Sequence, residues 1–130
     1  MINHRIRLYL ILLAITTILS TGIYALWSHL YYRIGYPLDD SWIYQTYARN
    51  LSQLGEWSFI PGEASGGSTG PLWVLVVSLG YWLRLDHHLW SYIIGSLLLF
   101  FIGAVGIRAN RLLHPNAKII VFLTGIILVF

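Results

Sequence analysis

Two neighbouring carboxylates, Asp39 and Asp40, open the one long polar stretch of this 130-residue chain. Held side by side, two acids repel, so one pKa rises and the pair favours a bound cation or a shared proton. Asp39 and Asp40 are therefore the candidate ligands of a divalent cation, although a full oxygen cage needs more donors. The plainer role is structural: one Asp at the start of a helix accepts from free backbone N–H groups, worth about 1 kcal/mol. Arg49 suits a phosphate or headgroup anchor, or a solvated charge. Glu63, Ser68 and Thr69 form a polar turn suited to capping the next helix, with Pro71 at its first position. Trp57 and Phe59 suit anchoring in a membrane belt. His87 and His88 are adjacent, and adjacent side chains on a helix diverge. With Asp86 alone beside them they read as a polar loop rather than a tetrahedral metal site.

The rest of the chain must position these groups in lipid. It is 57% hydrophobic and 10% charged, against about 25% charged in a typical soluble domain. Too few polar side chains remain to wet the surface of so small a globule. The chain has no cysteine, which excludes a disulfide scaffold. Its eight Lys and Arg residues are scattered, which argues against nucleic-acid binding. The expected architecture is an all-α integral membrane protein with three to four transmembrane helices and a long outer loop carrying a short interfacial helix.

Apolar runs place the first span at residues 8–30, the outer loop at 31–70, a second span at 71–86, a third at 89–107 and a truncated fourth at 118–130. The first run exceeds the roughly 7–15 apolar residues of a signal peptide. Within the loop, Pro37 stops the preceding structure, Asp39 or Asp40 caps a helix over about 40–54, and Gly55 ends it. Ile43, Tyr47, Leu51 and Leu54 then share one face, able to dock on other helices or lie among headgroups. Ser91, Gly95 and Gly103 mark a seam of small residues for close helix packing. Arg5 and Arg7 favour a cytoplasmic N-terminus in the cell membrane. Four crossings would leave Arg108, Arg111 and Lys118 outside; a re-entrant Pro71 run would return them to the cytoplasm.

The order LDDSWIYQTYARNLSQLGEWSFIPGEASGGSTGPLW, from Leu38 to Trp73, joins an acidic pair, an aromatic helix, PGE, a Gly-Ser-Thr turn and PLW. It resembles the first outer loop of the GT-C superfamily, membrane glycosyltransferases that take sugars from polyprenyl-phosphate carriers. The arabinofuranosyltransferase-like branch is the most similar, the aminoarabinose and protein mannosyl transferases less so. The resemblance implies that Asp39 is the catalytic acid, taking a proton from the acceptor hydroxyl, and that Asp40 assists. It implies substrate contacts for Arg49, Glu63, Ser68 and Thr69, and leaves a divalent cation open. Family members are several-fold longer. The expectation is therefore the N-terminal portion of such an enzyme, inactive alone, with membrane lipids, a polyprenyl-phosphate-linked sugar and another membrane polypeptide as partners. The alternatives are a small non-catalytic multi-pass membrane protein acting through partner or lipid binding, and a piece of a transporter.

Overall fold

Helix α1, His4–Tyr31, opens the chain in the computed structural model, which describes residues 4–31, 35–36, 38–113, 123 and 127. It is followed by α2 (Asp40–Leu54), β1 (Ser58–Ile60), β2 (Glu63–Ala64), α3 (Pro71–Trp82) and α4 (His87–Leu113). Pro37, Lys118 and the fourth expected span lie outside the described residues, apart from Leu123 and Ile127. The chain forms two compact units: Met1–Tyr32 with Ile94–Phe130, and Arg33–Ile93. Helix α4 supplies its first turns to the second unit and its remainder to the first.

In the first unit, α1 and the later part of α4 pair antiparallel. Leu13 packs on Ile107 near one end, with Tyr9, Phe100 and Ala104 around them. Toward the other end Ser96 Oγ donates to Thr21 Oγ1 at 2.8 Å. The register puts the start of α1, with Arg7, at the same end as Arg108 and Arg111 of α4. Two helices, Ile6–Tyr31 and His87–Leu113, are long and apolar enough to cross a membrane. Only 11% and 17% of their most apolar windows are buried, so they are not core helices of a packed globule. Gly95 makes no close approach, since a Cβ there would meet nothing within 4 Å. The expected seam survives at Gly103, which is buried.

The second unit is built on α2. Its bounds follow from local chemistry: Asp39 precedes the first turn, and Gly55, at φ +71°, returns its N–H to the Asn50 and Leu51 carbonyls. Tyr47 and Ala48 are buried against Val74 and Val77 of α3, with Ile43 and Leu51 flanking them. Leu54, expected on that face, is exposed instead. The buried arc turns toward Gln45 and Asn50, two polar residues that no apolar periodicity would select.

Two corrections to the all-helical, evenly spanned expectation arise here. First, Pro61 and Gly62 turn the chain between β1 and β2, which pair antiparallel. Gly62 has φ +84°, the left-handed position that a Pro-Gly turn assigns to glycine. Asn50 Nδ2 holds this hairpin by donating to the Ser58 and Phe59 carbonyls at 3.0 and 3.1 Å. Second, no continuous helix covers 71–86. Helix α3 has 12 residues, about 18 Å of rise, against a hydrocarbon core of roughly 30 Å. It stops because Leu83 and Arg84 leave helical geometry, Arg84 at φ +56°.

Helix α3 approaches α4 through Gly80. A Cβ there would lie 2.4 Å from Trp90 Cδ1, and the Trp90 indole is pinned by donation from Nε1 to the Val76 carbonyl at 3.0 Å. Helix propensity alone would make Gly80→Ala stabilising by up to about 1 kcal/mol. The clash reverses the sign: overpacking costs typically about 1–3 kcal/mol. Thermal melts of the detergent-solubilised protein should show Gly80→Ala melting below the native chain.

Candidate functional site

The expected acids stand together at the start of α2. Asp39 Oδ1 accepts from the Asp40 backbone N–H at 3.0 Å, and the Asp39 carbonyl accepts from Trp42 N at 2.8 Å. Both side chains are exposed, and among the described residues neither is paired with a cation. Among the described residues no third His, Cys, Asp or Glu joins them in a metal-sized group.

The other residues expected at the site do not converge on this pair. Arg49 is exposed, and its guanidinium bonds Asn50 Oδ1 at 3.4 and 3.5 Å. Glu63 sits exposed on β2. Thr69 shares a hydrogen bond of 2.8 Å with the Tyr44 hydroxyl, so it ties the turn to α2 and does not cap α3. Gly70 stands at that cap without a side-chain bond, followed by Pro71 as expected. Ser68 Oγ is buried without a partner. Tyr47 pins the turn to α2, bonding Ser65 Oγ at 2.5 Å and accepting from Gly67 N at 3.0 Å. Trp57 packs on the Tyr47 ring, centroids 5.7 Å apart, as part of the core.

A second polar centre, absent from the sequence-based expectation, forms around Gln45. This side chain is only 4% exposed. Its Nε2 donates to the Tyr36 hydroxyl at 2.7 Å and to Ser91 Oγ at 2.8 Å, while its Oε1 accepts from the Tyr81 hydroxyl at 2.9 Å. The Tyr36 hydroxyl in turn donates to the His87 carbonyl at 3.0 Å, and the Tyr92 hydroxyl donates to the Gly35 carbonyl. Tyr36, Ser41, Gln45, Trp73, Ser91 and Tyr92 line a cavity of about 90 Å³. Pockets for small organic ligands run from about 300 Å³ upward, so this space suits two or three waters at about 30 Å³ each.

Aromatic rings extend the centre toward the two histidines. Tyr36 stacks on His88 with centroids 5.1 Å apart, Trp42 meets the same imidazole edge-on at 5.7 Å, and Tyr81 stacks on His87 at 5.8 Å. The histidines are not a loop: they form the first turn of α4, capped by Asp86, whose Oδ1 accepts from Leu89 N at 2.8 Å. That hydrogen bond holds the Asp86 carboxyl below its usual pKa.

Burial pushes the Tyr36 hydroxyl from 10.0 up to about 12; nearby Tyr81 and Asp86 add to the rise, and the hydrogen bonds of Ser91 and Gln45 oppose it. With the folded pKa raised, the unfolded chain loses this proton first. The contribution to stability is therefore complete below about pH 10 and is lost as pH rises toward 12. The free energy of unfolding measured across that window should fall steeply for the native protein and more gently for Tyr36→Phe.

Comparison with known proteins supplies no relative: no protein-family model, curated protein or solved structure matches the chain.

Proposed function

We propose that this chain carries the acid-bearing outer loop of a membrane glycosyltransferase of the GT-C kind. In the reaction, Asp39 takes the proton of an acceptor hydroxyl as that oxygen bonds the sugar's anomeric carbon. The bond from that carbon to the polyprenyl phosphate breaks, and its electron pair leaves with the phosphate. One observation carries the reading: Asp39 and Asp40 are exposed and, among the described residues, unpaired with a cation, while Tyr44, Tyr47, Asn50, Ser65 and Thr69 of the same loop are held in internal hydrogen bonds. The ordered resemblance from Leu38 to Trp73 supports it.

On this reading the protein is multi-pass in the cell membrane, with a cytoplasmic N-terminus. Arg7, Arg108 and Arg111 share one end of the antiparallel α1–α4 pair, and an excess of arginines marks the cytoplasmic side. The short α3 then enters the membrane from the outer side without crossing. That arrangement removes the charge conflict that four crossings would create.

Membranes containing the chain in its own cells are tested for transfer from polyprenyl-phosphate sugars. Activity that depends on the chain and disappears in Asp39→Asn supports the reading; full activity in the variant overturns it. A second reading, a non-catalytic membrane protein acting through a partner or lipid, is favoured by the internal bonding of Thr69, which occupies a residue the resemblance assigns to substrate. A stoichiometric membrane partner retained in mild detergent, by native chain and Asp39→Asn alike, would support that second reading.

A further inference from the structure

We propose that Asp86, His87 and His88 bind a divalent transition-metal ion, with Zn²⁺ the best match. The site stands independently of sugar transfer and does not include the acids expected to hold a cation. One ligand atom from each residue falls within 4.8 Å of the others, and these three are the one such group among the described residues. In a tetrahedral zinc site, bonds of about 2.0–2.2 Å put ligand atoms roughly 3.4 Å apart. The three ligand atoms, within 4.8 Å of one another, therefore have only a short distance to close.

The surroundings favour that closure. The two imidazole centroids are already 4.1 Å apart. Each ring rests on a tyrosine, His87 on Tyr81 with planes at 14° and His88 on Tyr36 at 28°, so little side-chain freedom is lost on binding. Among the described residues His88 Nε2 is buried without a partner, and a buried polar atom is destabilising until something satisfies it. Asp86 Oδ1 accepts from the Leu89 N–H and the carboxylate also takes the His88 backbone N–H, which orients it beside the two imidazoles. The Tyr36 hydroxyl fixes the backbone between the ligands through the His87 carbonyl.

The donor chemistry selects the ion. Two imidazoles and one carboxylate match three-residue zinc sites that keep a fourth position open for water or substrate. Ca²⁺ and Mg²⁺ require mostly oxygen ligands and fit poorly. The adjacency that argues against such a site on a regular helix is overcome by the ring contacts of the first turn.

The test uses full-length protein carrying a tag without histidines, purified metal-free in detergent and titrated with Zn²⁺ by calorimetry and with Co²⁺ by visible absorption. The expected result is one equivalent of Zn²⁺ and Co²⁺ bands characteristic of nitrogen ligation. His87→Gln and His88→Gln should each weaken binding at least tenfold. Asp86→Asn should weaken it too while leaving the metal-free melting temperature unchanged, because Asn caps a helix as well as Asp. Absence of stoichiometric uptake would overturn the proposal. So would uptake unchanged in the His87→Gln/His88→Gln double variant, or uptake abolished by Asp39→Asn with both histidines intact.

Discussion

Asp39→Asn is expected to remove sugar transfer while leaving the protein folded. The two halves of that outcome rest on different atoms. Asp39 Oδ1 accepts one hydrogen bond, from Asp40 N, and an amide oxygen accepts it equally well, so helix α2 should keep its start. An amide cannot take a proton from an acceptor hydroxyl, and loss of general-base assistance is worth about 10²- to 10⁴-fold. Asp40→Asn should cost less, since Asp40 is the assisting acid in the proposed chemistry. A membrane transfer assay run beside a melt of the purified variant separates the two effects. Equal losses of activity and stability would mean that Asp39 serves only as a cap.

Gln45→Leu should be among the most damaging single changes in the unit around α2. Leucine fits the volume, but it withdraws both N–H donations, to Tyr36 and Ser91, and the acceptor of the Tyr81 hydroxyl. Each buried group left without a partner costs about 1–3 kcal/mol. Tyr36 and Ser91 can bond each other at 3.3 Å, which recovers part of the loss. A net cost of about 2–4 kcal/mol is expected, read as a shift in the denaturation midpoint. Gln45→Glu should fall between, because it keeps the acceptor for Tyr81 and loses the donors. A leucine variant as stable as the native chain would mean that waters in the adjoining cavity satisfy the three hydroxyls.

What the sequence reveals depends on whether a feature is local. Helix α2 is legible because its start and stop lie in adjacent residues, Asp39 at one end and Gly55 at the other. Both long apolar helices are legible from uninterrupted runs. The length of α3 is not, because hydropathy continues past Trp82 while the backbone turns left-handed at Arg84. The hairpin carries its Pro61-Gly62 signal, but three- and two-residue strands are too short to show alternation. The Gln45 centre joins Tyr36, Tyr81 and Ser91 across separations of 9, 36 and 46 residues. Each is an ordinary residue for its surroundings, and only folding shows that they meet. The histidine pair is visible in sequence, but its support by Tyr36 and Tyr81 is not.

The different spans of chain enclosed by these contacts set an order of assembly. Tyr44 meets Thr69 across 25 residues, whereas Thr21 meets Ser96 across 75. A threefold longer loop costs about 1 kcal/mol more to close, so the α2–hairpin–α3 unit should form before the two long helices pair. Once it has formed, its 61-residue stretch, Arg33–Ile93, is no longer a slack tether between those helices. The pairing of α1 with α4 then becomes the short-range docking of two helices whose connection is already compact.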